Sequence, residues 1–269
     1  IDPKTMNISI EHVKKLITKK TKAIIFVNYG GVPCDLDELN KLKNKHKLIL
    51  IQDAAQSLGS QFKNKDITNY ADFTIFSFQA IKHITSGDGG LLSFKDKKLL
   101  DAARRIRWFG IDRIKKQGGT WENDIKEVGY KYQMTDLGAR LLLDTLKEFK
   151  KITSHRKKIF DIYKRILSKN KKIMILDTCI LSLTNSHWLC TIITDKRELL
   201  QKKLRKLNIE TNQVHFRNDR YSIFHKFVRN KKFPNMDLYE DKYLVIPLNH
   251  KISSKDAYFI SNSINKILK

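Results

Sequence analysis

A chain of 269 residues, 41% of them apolar and 10% aromatic, can bury a sizeable core as one large domain or two smaller ones, which excludes wholesale disorder. The net charge of +25 is mostly lysine spread along the whole chain, as in Lys41-Leu-Lys-Asn-Lys45 and Lys169-Asn-Lys-Lys172, so it reads as solvated faces and not as a nucleic-acid surface. No apolar run approaches the roughly 18 to 20 residues needed to span a bilayer, and no secretory signal is expected. Cys34, Cys179 and Cys190 are odd in number and lack paired ligand spacing, so neither a disulfide framework nor a zinc site is expected, and the setting is taken as cytoplasmic.

In chain order, Ile10, Val13, Leu16 and Ile17 mark a short amphipathic helix. The apolar run Ala23-Ile-Ile-Phe-Val27 is a buried strand, followed by a turn at Asn28-Tyr-Gly-Gly-Val-Pro33. Asp35 is placed to N-cap a helix through Leu36, Leu39 and Leu42, with Asp37 and Glu38 at its positive end. Leu48-Ile-Leu-Ile51 is the next buried strand, and Asp53 falls just past it. This strand–helix–strand alternation predicts an α/β fold with a mostly parallel, helix-covered sheet, in which ligands gather beyond the carboxyl ends of the strands. A further strand, 73–78, leads into a loop at Lys82, and 89–94 reads as a returning strand. A helix is expected from Lys97 to about Trp108, a long loop over 110–130, and one helix from Met134 to about Leu167 with Leu137, Leu141, Leu142, Leu146 and Phe149 on one stripe. Short strands (173–176, 188–193, 244–248) and helices (197–207, 256–267) then suggest a small C-terminal α/β domain. The expected division is 1–145 and 146–269.

The residues with chemical potential are few. Asp53 ends an apolar run in a turn of small residues, where an acid is either a helix N-cap, a core acid hydrogen-bonded to amides, or the partner of a cation. Lys82, between Ile81 and Ile84, sits in a mostly apolar loop that could lower its pKa and make it a Schiff-base nucleophile, though in so lysine-rich a chain it stands out little by itself. The glycines of Ser86-Gly-Asp-Gly-Gly90 fit neither the dinucleotide fingerprint nor the Walker pattern, and read as tight turning beside the lysine. His83 is read as a loop histidine, Trp108 and Trp121 as core aromatics or sugar-site walls, and no triad or metal-ligand spacing stands out.

Taken together and in order, Asp53 with Gln56, Ser77 with Phe78, Lys82 and the Gly87-Asp-Gly-Gly90 turn closely resemble the DegT/DnrJ-type sugar aminotransferases, a family of fold-type I pyridoxal-phosphate enzymes. The resemblance extends to Tyr29-Gly-Gly-Val-Pro-Cys-Asp35 and to Gly129-Tyr-Lys-Tyr-Gln-Met-Thr-Asp136, covers most of 20–145, and continues more loosely beyond. It implies a fold-type I large domain that lacks roughly the first hundred residues of the usual chain, and with them part of a phosphate cradle and of a dimer interface. It also implies Lys82 as the residue that joins the cofactor and then shuttles a proton, Asp53 as partner of the pyridine nitrogen, Gln56 against the ring and Ser77 as a phosphate donor. The family often has Asn at Lys131, where it reaches the phosphate in the neighbouring subunit; a lysine serves a phosphate as a point charge. Asp88 replaces the usual Glu of the glycine turn.

A substrate-facing loop is implied near Glu210–Asp219, which makes Gln213, His215 and Arg217 candidates for a sugar nucleotide. The implied activity is transfer of an amino group, with glutamate as donor, to a nucleotide-linked keto-sugar by a homodimer. The alternatives are a sugar dehydratase, in which histidine replaces the lysine, and a truncated, non-catalytic scaffold acting as a regulatory or binding protein.

Overall fold

The computed structural model describes residues 1–113, 125, 127–177 and 182–269. In chain order they form α1 (Ile10–Leu16), β1 (Ala23–Val27), α2 (Leu36–His46), β2 (Ile49–Asp53), β3 (Gln61–Phe62), β4 (Lys65–Asp66), β5 (Phe73–Ser77), β6 (Gly90–Phe94) and α3 (Leu100–Arg107). There follow α4 (Asp136–Lys147), α5 (Phe149–Leu167), β7 (Met174–Ile175), β8 (Leu183–Thr184), β9 (Cys190–Ile193), α6 (Arg197–Arg205), α7 (His225–Val228), α8 (Pro234–Tyr239), β10 (Tyr243–Ile246) and α9 (Ser254–Ile267). Trp121, Cys179 and most of the expected 110–130 loop lie outside the described residues.

The main sheet has the order β1-β2-β5-β6. Strands β1, β2 and β5 are parallel and β6 returns antiparallel, in register from Phe73↔Phe94 to Ser77↔Gly90. The connection from β1 to β2 is α2, which starts because Asp35 accepts the Glu38 N–H at 3.1 Å and stops where Lys47 turns left-handed. Its Leu36 and Leu39, with Leu50 of β2, are fully buried in the first core, each worth about 1.5–3 kcal/mol relative to exposure. The other face of the sheet keeps Ile25, Val27, Ile49 and Ile75 exposed, so the strands alternate where uniform burial was expected.

A second core gathers α5, α6 and α9 against the antiparallel sheet β10-β9-β7. Buried Ile159, Phe160, Tyr163 and Leu167 line one face of α5, and the Ser253 capping box with Asp256 starts α9. The single helix expected over 134–167 is two: Glu148 sits at φ −87°, ψ −4°, ending α4 and starting α5. Neither glycine nor proline marks that break. Leu142 and Phe149 face the first core, while Leu137, Leu141 and Leu146 of the expected stripe are exposed.

The two cores are tied together by β3 pairing with β8 and by the turn after β1. Gly31 has φ +95°, and a Cβ there would stand 2.9 Å from the Asn185 side-chain Oδ1 and 3.0 Å from the Gln56 carbonyl, so glycine is what lets the turn sit this close to both. Ser60 Oγ donates to Gly31 O at 2.8 Å and accepts the Ser186 N–H at 3.1 Å, closing the seam.

Candidate active site

The site is assembled by the carboxyl ends of two neighbouring parallel strands. Asp53 is the last residue of β2, paired across to Val27 and Ile75, and its Oδ1 accepts the Ala55 N–H at 3.0 Å. Ser77 ends β5, half-buried, with Oγ accepting the Gln79 N–H at 3.4 Å. The chain from there to β6 is tied on itself: Phe78 N–H donates to Gly89 O at 2.8 Å, Ser86 N–H to Phe78 O at 2.9 Å and Lys82 N–H to Gln79 O at 2.9 Å. Gly90 is required by a close approach, since a Cβ there would meet Phe76 O at 2.9 Å. This loop presents Lys82 half-buried toward Asp53. Burial lowers the pKa of its amine, and the Asp53 carboxylate partly opposes that.

Gln56 is buried beside them. Its Oε1 accepts the Gly30 N–H at 2.7 Å, and its Nε2 lies 3.2 Å from His215 Nε2. That second contact requires a neutral His215 with the proton on Nδ1, in keeping with a ring pKa lowered by burial and then by the charge of Lys82. Tyr29 closes the same corner with its hydroxyl 3.4 Å from Thr191 Oγ1, and burial raises its pKa to about 12. Asp53, Gln56, Tyr29 and His215 line a cavity of about 1450 Å³, bounded on its far side by Phe216, Phe224 and Phe233. Lys82 and Ser77 stand outside its wall.

The remaining sequence candidates are placed differently. Arg217 is buried, and its guanidinium is already engaged by Asp219, Asp237 and Glu240 at 2.7 Å each, which raises its pKa. It touches the cavity with its charge balanced, and is built to order the 215–240 segment. Gln213 is not in the cavity wall, and its amide donates to the Glu240 carbonyl. Lys131 is exposed and forms an isolated backbone bridge with Trp108. Gln56 and His215 therefore meet, Asp53 and Lys82 sense each other, and Gln213, Arg217 and Lys131 stand apart.

His83 turns inward. Its Nε2 is 2.9 Å from the Ser186 carbonyl, and its ring lies 5.2 Å from that of Trp188. Behind it, Arg156 is buried on the apolar face of α5 and donates from Nη1 to the carbonyls of His187, Trp188 and Leu248 at 3.3, 3.2 and 2.8 Å. Sequence reasoning passed over Arg156, although a cation in register with Ile152, Ile159, Phe160 and Tyr163 was a readable signal.

Burial lowers His83 to about 3, with Arg156 next among the causes, and lowers His187 to about 4. Both stay neutral in the fold while the unfolded chain protonates them near the ordinary 6.5. The unfolded state therefore binds more protons as pH falls below that value, so stability is full above it and declines through the window down to these folded values. The slope is about 1.4 kcal/mol per pH unit for each histidine. Urea unfolding midpoints are expected to fall between pH 7 and pH 5, and to fall less in His83→Gln; equal pH dependence in the two proteins would refute this.

Among the described residues, no helix is long and apolar enough to cross a membrane. The model of the DegT/DnrJ/EryC1/StrS aminotransferase family matches residues 1–265. The chain is 32% identical over 281 aligned positions to an uncharacterised protein of Methanocaldococcus jannaschii, covering 100% of this chain and 72% of that one. It is 28% identical to the GDP-perosamine synthase of Escherichia coli O157:H7, covering 98% of this chain and 71% of the relative. Among solved structures, a sugar aminotransferase of Streptococcus pneumoniae in its PMP form superposes with a TM-score of 0.90 at 25% identity, over 99% of this chain and 74% of that one.

Proposed function

The chain belongs to the DegT/DnrJ/EryC1/StrS aminotransferase family, and from that premise we propose that it is a pyridoxal-phosphate-dependent transaminase that passes an amino group from glutamate to a nucleotide-linked keto-sugar. The observation that carries this reading is that Asp53, at the end of β2, acts electrostatically on Lys82 in the loop after the adjacent parallel strand β5, beside a cavity large enough for a cofactor and a sugar nucleotide. The donor set suits the cofactor: a carboxylate, a primary amine of lowered pKa and a strand-end hydroxyl. When bound, pyridoxal phosphate supplies the electron sink that lets a proton leave the carbon bearing the amine.

In this reading the protein's own groups divide the work. Asp53 would pair with the pyridine nitrogen of the bound cofactor, where a carboxylate favours the protonated ring. Lys82 would hold the cofactor through its amine and, when free, would be the group that takes up and returns a proton at the substrate carbon. Gln56 would lie against the ring and His215 toward the substrate, and Ser77 would donate its hydroxyl to the phosphate. Lys131 and the 213–217 loop serve the phosphate and the sugar nucleotide more remotely, Lys131 across a homodimer. The exposed Ile25, Val27, Ile49 and Leu137 support burial of these faces against another polypeptide surface. Residues 1–145 act as the cofactor-binding domain and 146–269 as the smaller one.

Mixing the purified chain with pyridoxal phosphate tests the reading. A visible absorption band is expected, bleached by glutamate and restored by a keto-sugar nucleotide. A chain that develops no band, or a band indifferent to every amino donor, would refute it. The dehydratase alternative needs a histidine in place of the lysine, whereas His83 is turned away and hydrogen-bonded to Ser186.

A further inference from the structure

We propose that Trp188 is a positioning residue for Lys82, its indole face holding the free ammonium in place within the field of Asp53. The inference rests on the reading of Lys82 as the cofactor lysine. Lys82 Nζ lies 5.0 Å from the centroid of the Trp188 ring. Among the described residues no hydrogen-bond acceptor or carboxylate is in bonding range of that ammonium, and Asp53 acts on it only from farther off. A four-carbon side chain half-sunk in a protein needs some such anchor, because an untethered ammonium samples many rotamers and loses hydration without return. The negative face of an indole is the aromatic surface that best supplies it.

The ring is buried and packed between Arg156 and His83. Trp188 is only 9% exposed, and its backbone is fixed at both ends: its main-chain N–H donates to Gly30 O at 3.0 Å, and its main-chain carbonyl accepts from Arg156 Nη1 at 3.2 Å. The Arg156 guanidinium carbon stands 5.1 Å from the same ring, and the His83 ring packs at 5.2 Å. The Gly30 N–H also donates to Gln56 Oε1, so one short turn fixes both the cavity-lining Gln56 and the anchor of Lys82. Trp188 leads into β9 of the second sheet, whereas Lys82 follows β5 of the first. The contact therefore sets the position of the amine by the seating of one unit on the other. The charged or titratable groups facing this spot are Asp53, His83, Arg156 and His215.

The arrangement matters in the interval when Lys82 is not joined to anything. The ring favours the ammonium over the amine and keeps it where it must next deliver a proton. Removing the π face while keeping apolar bulk leaves Lys82 present but misplaced, and easier to deprotonate.

The full chain, dialysed against hydroxylamine to free Lys82, is reductively methylated with 13C-formaldehyde and its dimethyl-lysine resonances are titrated by NMR, the Lys82 signal being identified by its absence in Lys82→Arg. In the unmutated chain the Lys82 signal is expected to be displaced by the ring current. In Trp188→Leu that displacement disappears and the Lys82 pKa falls by about 0.5 to 1 unit, while Trp188→Phe retains most of both. An undisplaced signal in the unmutated chain overturns the proposal even if Trp188→Leu does not fold, and so does an unchanged titration in Trp188→Leu. No cofactor is in the sample, so a failure to bind pyridoxal phosphate leaves this outcome untouched.

Discussion

Lys82→Ala is expected to form no visible band with pyridoxal phosphate and to lose transamination by at least about a thousandfold, since it removes both a nucleophile and an acid–base group. Both roles need a primary amine that can lose its proton in the working range. Burial lowers the Lys82 pKa from its ordinary value of 10.5, and Asp53 limits the fall. Band formation in the unmutated chain should therefore speed up with rising pH through a midpoint below that value, because the neutral amine attacks. Lys82→Arg is expected to be as inactive as alanine, its guanidinium remaining protonated throughout. The change should leave folding intact, since among the described residues the Lys82 ammonium contacts only the Trp188 ring. A Lys82→Ala protein that keeps the band would show that another of the chain's many lysines reacts.

The elements around this lysine were legible because the parallel strands are short apolar runs with turn residues at both ends. Asp35 as a helix cap and Asp53 at the carboxyl end of β2, its last residue where the apolar run places it just beyond, could both be read from position, since capping and strand ends are local matters. What escaped was settled by partners far away in sequence. Arg217 looked like a loop cation for an anionic substrate; Asp237 and Glu240, some 20 residues on, claim it. Trp188 read as a strand residue, and only the packing of the two cores brings it to Lys82. The break at Glu148 escaped for a related reason. Its dihedrals suit any residue, so the bend is imposed by α4 packing on the first core and α5 on the second. The bare face of β1, β2 and β5 likewise follows from what the described residues pack against, which hydrophobic runs alone do not disclose.

Asp53→Asn separates the charge of this carboxylate from its shape. The amide oxygen can still accept the Ala55 N–H, now at 3.0 Å from Oδ1, so the turn after β2 should persist and the protein should fold. What goes is the negative charge, with two consequences that can be measured apart. Without a cofactor, the Lys82 pKa should fall further, because Asp53 is the group that raises it against burial. With the cofactor, the pyridine nitrogen has no anion to keep it protonated, and the half-reaction with glutamate should slow by about a hundredfold or more. Binding of the cofactor should weaken far less, since Lys82 and Ser77 are unchanged. Asp53→Glu keeps the charge but moves it one methylene along, and should restore the Lys82 pKa better than the rate, because electrostatics at a few ångströms tolerates a displacement that a hydrogen bond to one ring atom does not. If Asp53→Asn transaminates as fast as the unmutated chain while its Lys82 titrates lower, Asp53 serves the lysine and not the ring. If neither quantity moves, the pairing across the ends of β2 and β5 has no part in the chemistry.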